Sequence, residues 1–154
     1  MSTTAEGPWL DADEQRAWRA WRRMALTVQV RTSRDLADLG LSEADYEVLS
    51  TLSERPDATS TLREQAAKMG WSRSRLSHHA TRMESRGLLR RAADPDDGRG
   101  CLLVLTEVGS RVLAAAAPGH VASVREHLLD RLDHGDLAAL EAISLKIVDP
   151  DEAP

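Results

Sequence analysis

The stretch from residue 72 to residue 106 constrains the fold more than any other part of the chain. It begins with S-R-S-R-L-S-H-H-A-T-R-M-E-S-R, a run rich in arginine, serine and histidine that stops before Gly87. Two short apolar segments follow, at residues 88–92 and 101–105, and each is long enough for one β-strand. The turn sequence D-P-D-D-G between them is followed directly by Arg99. The order is therefore a helix followed by a β-hairpin with a charged tip.

The helical run separates into two faces when it is placed on a wheel at about 100° per residue. Leu76, Ala80 and Met83 share one side, which predicts that this side packs on the core, and His79 lies at its border. The other side and its flanks carry hydroxyl, imidazole and guanidinium groups: Ser74, Arg75, Ser77, His78, Thr81, Arg82 and Ser85. Such groups suit DNA, since arginine pairs with guanine or phosphate and hydroxyls bind either. An ordinary solvated amphipathic helix would show the same pattern.

The hairpin offers a second surface for DNA. Arg99 lies near its tip, where an arginine on a thin loop can enter a narrow minor groove. The aspartates are predicted to form the turn, and Asp97 to orient Arg99 or a nearby basic group. The alternative is that Arg99 makes a salt bridge that braces the hairpin. Helix, strand, charged loop and strand together predict a winged helix-turn-helix, a layout that contacts two grooves of a duplex.

The charge of the chain is unevenly distributed. The net charge of −5 argues at first against a nucleic-acid ligand. Residues 68–99, however, hold eight basic side chains and four acidic ones, so the rest of the chain is strongly acidic. A local basic patch on an acidic body is the electrostatic pattern of a DNA-binding surface.

The remaining sequence predicts helices on both sides of this unit. A long helix should run from about Asp11 to residues 39–40, with an apolar stripe that includes Trp18 and Trp21. Ser42 should cap a helix that reaches residue 54, and Thr61 one that ends at residue 70.

Two further helices are predicted after the hairpin. Thr106 should begin the first of them, which residues 118–119 (Pro-Gly) should kink or break. Residues 134–135 (His-Gly) should turn the chain into the last helix, whose apolar face includes Leu137 and Ile147. The predicted fold class is mainly α with a small β-wing.

The segments T-L-R-E-Q-A-A-K-M-G-W-S-R-S-R-L-S-H-H-A-T-R-M-E-S-R-G-L-L-R-R and D-P-D-D-G-R-G-C-L-L-V-L-T-E-V-G resemble the multiple antibiotic resistance regulator (MarR) family. The spacing of R-G-L, D-x-R and L-T-x-x-G carries the resemblance, which extends over roughly residues 14–148. The family's aspartate and arginine fall on Asp97 and Arg99, and this chain departs from the common pattern at Gly98 and His79.

The resemblance implies a homodimer built by the first and last helices, with a winged helix in each subunit and a pseudo-palindromic operator as ligand. The implied divisions are a flexible N-terminus at 1–10, an N-terminal dimerisation helix at 11–40, a DNA-binding domain at 41–106, C-terminal dimerisation helices at 107–148 and a tail at 149–154. The expected function is an effector-responsive transcriptional repressor. The alternative is a winged-helix protein-interaction module that does not bind DNA.

The predicted DNA-binding residues are Ser72, Arg73, Ser74, Arg75, Ser77, His78, Thr81, Arg82, Arg90, Arg91 and Arg99. Trp18, Trp21 and Tyr46 could line a cleft for a small aromatic effector, although core and dimer packing also accounts for them. Neither Cys101 nor the histidines at 120, 127 and 134 favour a redox or metal site. No catalytic motif, cofactor motif, signal peptide or membrane span is evident, so we expect a non-enzymatic cytoplasmic protein.

Overall fold

The computed structural model describes residues 9–148, which form a mainly helical chain with one small antiparallel sheet. The elements are α1 (Ala12–Asp38), α2 (Glu43–Ser53), β1 (Thr59–Thr61), α3 (Leu62–Lys68), α4 (Arg73–Ser85), β2 (Leu89–Ala93), β3 (Cys101–Leu105), α5 (Glu107–His127) and α6 (His134–Ile147). A short 3-10 turn, Leu129–Arg131, joins α5 to α6. Residues 1–8 and 149–154, which hold most of the predicted flexible N-terminus and tail, lie outside the described residues. No helix of the described part is apolar over a length that would cross a bilayer.

Polar side chains fix where the helices begin, as the sequence predicts. Asp11, Ser42 and Thr61 cap α1, α2 and α3, and the backbone N–H of each donates in return to an acidic side chain three residues further on. Ser72 caps α4, where its hydroxyl accepts the N–H of Arg75 at 3.2 Å. These bonds satisfy N–H groups that a helix leaves free at its start, so the starts are confirmed.

The sheet has the order β1-β3-β2, and both pairings are antiparallel. The hairpin register pairs Leu89 with Leu105 and Ala93 with Cys101, which confirms the two predicted strands to within one residue. The third strand, Thr59–Thr61, was not predicted. It is three polar residues long, so it shows no detectable alternation, and it forms because β3 offers it a free edge.

The core lies inside the winged unit, which consists of α2, α3, α4 and the three-stranded sheet, and it is built mainly from leucine. Leu49 and Leu52 of α2, Leu76 of α4, and Leu89 and Leu103 of the sheet are almost completely buried. The chain has no phenylalanine, and aliphatic side chains fill this space instead. The core therefore supports α4 and the hairpin from the same side, which fixes their relative position.

Helix α5 continues through Pro118, so of the predicted kink or break at residues 118–119 the break does not occur. A proline removes one helical hydrogen bond, but packing on both sides can hold the two halves in line. Here α5 lies along α1, where the hydroxyl of Ser123 donates to Asp35 at 2.7 Å and His127 Nε2 lies 2.8 Å from the same carboxylate oxygen. The predicted turn at residues 134–135 is also displaced, since Asp133 caps α6 and both residues lie inside that helix.

The outer helices expose much apolar surface in this single chain. Helix α6 contains no buried residue, and the first half of α1 is exposed throughout. The large apolar side chains that these two helices expose include Trp18, Trp21, Leu26, Val30, Ile143, Leu145 and Ile147. Such a surface contrasts with the closed core of the winged unit.

Candidate nucleic-acid interface

Helix α4 presents a polar face away from the core. Leu76, Ala80 and Met83 are completely buried, which confirms the predicted inner face. Ser72, Arg73, Ser74, Arg75, His78, Thr81 and Arg82 are exposed, and Ser77 is half-buried. The structure therefore brings the helical part of the predicted set together on one surface. The border residue His79 belongs to the buried side, with only 8% of its surface exposed.

Arg75 is held by an aromatic side chain just before the helix. Its guanidinium carbon lies 3.7 Å from the centre of the Trp71 ring, which is a close cation–π contact. Trp71 in turn meets the ring of His79 edge to face, with centroids 5.7 Å apart. Sequence reasoning missed Trp71, although its position directly before the cap residue Ser72 was a usable signal.

A buried carboxylate connects α4 to α2. Asp45 is 4% exposed, and its two oxygens lie 3.0 Å from His79 Nε2 and 2.7 Å from Arg86 Nη1. Arg86 also donates to the carbonyl of Gly40 at 2.8 Å. These contacts fix the middle and the C-terminal end of the interface helix, because His79 lies in its middle and Arg86 directly follows it.

The charges of this cluster support a neutral histidine beside an ionised carboxylate. Burial opposes ionisation of Asp45, but the N–H of Ser42 and the guanidinium of Arg86 outweigh it and lower the pKa. Burial lowers the pKa of His79, and the attraction of Asp45 only partly offsets it. His79 is therefore predominantly neutral near pH 7.

Arg91 joins the hairpin to α4 through several bonds. Its guanidinium donates to Glu84 at 2.9 Å and to the carbonyl of Ser77 at 2.7 Å, and its backbone N–H donates to Glu84 at 3.0 Å. The hydroxyl of Thr81 accepts another bond from it at 3.2 Å. The N–H and then the guanidinium of Arg91 lower the pKa of Glu84. Three predicted DNA ligands, Arg91, Ser77 and Thr81, thus bond to one another in this structure.

The wing loop is shaped by its aspartates. Asp94 accepts the N–H of Asp96 at 2.9 Å, and the Asp97 carboxylate accepts the N–H of Arg99 at 3.0 Å. A side chain on the glycine at position 100 would collide with Asp94, because its Cβ would lie 2.8 Å from that residue's Cβ. The carboxylates are thus turn formers, and Asp97 orients Arg99 through the backbone.

The side chain of Arg99 is exposed at the tip of this loop. Within residues 9–148 its guanidinium makes no ion pair, so the predicted alternative of a bracing salt bridge is not observed. Arg99 and Arg73 line one cleft of about 440 Å³ between the wing and the start of α3, together with Arg63. Sequence reasoning missed Arg63. Arg90 is exposed on β2, opposite Val104 of β3.

Comparison with known proteins identifies this arrangement. A profile of the MarR family matches residues 41–101, which include α2 to α4, β2 and the wing loop. AbsC, a MarR family transcriptional regulator from Streptomyces coelicolor, is 39% identical, with a TM-score of 0.88 over 92% of this chain and 95% of its own. The chain belongs to the MarR family. It is accordingly a DNA-binding transcriptional regulator with a winged helix-turn-helix fold.

Other relatives of this chain support the same family assignment. Sco3205 of the same organism, solved in complex with DNA, is 36% identical, with a TM-score of 0.88 over 97% of this chain and 96% of its own. Transcriptional regulator HosA of Escherichia coli O111:H- is 34% identical over 116 residues, which is 74% of this chain and 83% of that protein. These relatives do not favour the alternative of a protein-interaction module.

The three predicted effector residues do not form one site in this MarR chain. Trp18 and Trp21 stack on each other on the exposed side of α1, with centroids 5.1 Å apart. Tyr46 instead contacts the ring of His120 at 4.2 Å, between α2 and α5, where burial raises its pKa. Neither of the two clefts that border α1 includes Tyr46.

The residues considered for a redox or metal site do not cluster in the described part of the chain either. Cys101 is a half-buried free cysteine at the start of β3. No cluster of three potential metal ligands occurs within residues 9–148.

Proposed function

We propose that the chain acts as a homodimeric repressor that binds a pseudo-palindromic operator. In each subunit α4 enters the major groove, where Arg75, His78 and Arg82 face the bases, and Arg99 of the wing enters the adjacent minor groove. The site of action is the cytoplasm, because the ligand is chromosomal DNA. The proposed divisions are the dimerisation helices at 11–40 and 107–148 around the DNA-binding domain at 41–106.

The observation that carries the proposal is the joint presentation of α4 and the wing tip. Arg75 and Arg82 are exposed on one helix face, and Arg99 is exposed on a loop whose backbone is held by Asp97. The shared core of α4 and the hairpin keeps these arginines in a fixed arrangement. Exposed guanidinium groups on two neighbouring projections that share one core are suited to reading two grooves of one duplex.

The apolar surface of α1 and α6 supports the homodimer. Leu145 and Ile147 are 69% and 77% exposed on the last helix, and Trp18 and Trp21 are half exposed on the first. A second copy supplies a matching apolar surface by two-fold symmetry. Two α4 helices should then lie roughly 34–36 Å apart, one turn of DNA.

A small aromatic effector is also proposed. Helix α1, the end of α5 and the turn that follows it border an open cleft of about 420 Å³ that His127 and Leu132 help to line. A small aromatic molecule fits a cleft of that size. The main role proposed for Trp18 and Trp21 is dimer packing, and that of Tyr46 is packing between α2 and α5. Contact with such a molecule is a secondary role for all three.

In vitro selection of bound sequences from random DNA tests the function. The selected operator should show two related half-sites, and a gel shift with random competitor DNA should confirm its preference. Arg75→Ala should abolish most of that preference. The control is Arg125→Ala, an exposed arginine on α5, which should bind as the wild type does. Failure to enrich any sequence would favour the protein-interaction module instead.

A further inference from the structure

His79 lies on the buried side of the helix, yet it touches a residue of the exposed face. Its Nδ1 lies 3.0 Å from Nη2 of Arg82, one helical turn further on. A guanidinium is always protonated in proteins and only donates hydrogen bonds, so Nδ1 must accept with its lone pair. The ring proton is then on Nε2, which lies 3.0 Å from a carboxylate oxygen of Asp45, close enough for electrostatic attraction but without the alignment of a hydrogen bond.

This arrangement fixes the histidine before any ligand is bound. Asp45 is itself held by Arg86 at 2.7 Å and by the N–H of Ser42 at 3.0 Å, so it is a fixed anchor on α2. Trp71 closes the other side of the His79 ring. The imidazole therefore has one orientation, with its lone pair directed at Arg82.

Arg82 retains most of its hydrogen-bonding capacity in this arrangement. A guanidinium has five N–H donors, and the bond to His79 uses one of them. The exposed side chain can still donate two parallel bonds to guanine O6 and N7. Because its rotamer is already restricted, Arg82 loses less side-chain entropy when it binds a base.

We propose that His79 is a positioning residue for base recognition, which holds the guanidinium of Arg82 toward the major groove through Nδ1 while the Asp45 carboxylate lies beside Nε2. This inference rests on the proposed function and deepens it, since it assigns a specificity role to a buried side chain. His79 itself does not touch DNA.

A double-mutant cycle on the selected operator tests the assignment. His79→Leu keeps a buried side chain of similar size and removes the acceptor, and Arg82→Ala removes the group that is positioned. By fluorescence anisotropy, His79→Leu should weaken operator binding by roughly three- to tenfold. It should also reduce base preference at the position that depends on Arg82. In the Arg82→Ala background the same change should have less than about a twofold effect.

Two variants separate positioning from general damage to the helix. His79→Asn can place an amide oxygen near the position of Nδ1 and should restore base preference. Met83→Leu alters the same buried face without a polar partner and should leave base preference unchanged. An equal loss from His79→Leu with and without Arg82, or no rescue by asparagine, would overturn the proposal.

The wild-type chain offers a measurement that does not depend on how the His79 variants fold. The charged groups that face the His79 ring are Asp45 from α2 and Arg82 and Arg86 from the α4 side. A proton on Nδ1 would repel Arg82, so operator affinity should fall on acidification below the ordinary histidine pKa of 6.5 more steeply in the wild type than in Arg82→Ala. Parallel pH profiles would contradict the proposal. Failure of the wild type to select any sequence would refute the proposed function instead.

Discussion

The winged unit buries most of its large apolar side chains within the single chain, whereas the outer helices leave many of theirs exposed. Helices α2 and α4 and the sheet enclose a leucine core, against which Ala116 of α5 also packs, and buried Asp45 is paired with Arg86. Helix α6 has no buried residue, and much of α1 presents apolar side chains to solvent. The first region has the features of a self-contained folding unit. The second has an apolar surface that the proposed second copy would cover, so we expect the two regions to respond differently to substitution and to protein concentration.

The largest expected effect is in the winged core. Leu49→Ala removes a completely buried side chain from α2 and should lower the free energy of unfolding by roughly 2–5 kcal/mol. The loss should be the same at low and high protein concentration, since no second chain covers Leu49. Urea unfolding at two concentrations measures it. A loss that disappeared on dilution would show that the core, too, depends on the partner.

The next effect concerns the outer helices. Ile143→Asp places a carboxylate on the exposed apolar face of α6, and two-fold symmetry would introduce it twice at the interface. Sedimentation at micromolar concentration should show a dimer for the wild type and a monomer for this variant. Glu141→Asp, a conservative change on the same helix, is the control. A variant that stayed dimeric would place the interface elsewhere.

A third contrast separates the two arginines of the wing. Arg99 is exposed, so Arg99→Ala should leave the melting temperature nearly unchanged and weaken operator binding by roughly tenfold, most of all where the flanking DNA is A·T-rich. Arg91→Ala breaks the bonds to Glu84 and Ser77, so it should lower the melting temperature as well as the affinity. Thermal melting and anisotropy on both variants decide this. A destabilised Arg99→Ala with full affinity would make Arg99 a structural residue.

The smallest effect is the acid response of the contact between α1 and α5. Bonds from Ser123 and then His127 lower the pKa of Asp35 from 3.8 to about 2. A lowered carboxyl pKa stabilises the folded state above pH 3.8, and that stabilisation is lost as the pH falls toward 2. Asp35→Asn should remove this acid-dependent step, whereas Asp38→Asn, an exposed change on the same helix, should retain it. Unfolding curves between pH 5 and pH 2 would show the difference, and identical profiles for Asp35→Asn and the wild type would contradict it.

Much of the site was accessible from the sequence because its signals are local. The spacing of Leu76, Ala80 and Met83 identified the inner face of α4, and the turn residues identified the wing. Partners far apart in the chain were not accessible. Nothing in the order of residues indicates that Asp45 lies beside His79 and Arg86, or that Arg91 bonds to Ser77 rather than extending freely from the hairpin.

The sequence by itself determined most of the helices and their caps, the wing and the family, because periodicity, capping and turn formation depend on residues within a few positions of one another. Only the tertiary structure decided that α5 continues through Pro118, that β1 exists and that His79 faces the core. Each of these depends on what an element packs against: α1 beside α5, the open edge of β3 beside Thr59–Thr61, and Asp45 beside the histidine. Such contacts join distant parts of the chain, and their free energies outweigh the local preferences of proline, of a three-residue strand and of a polar ring.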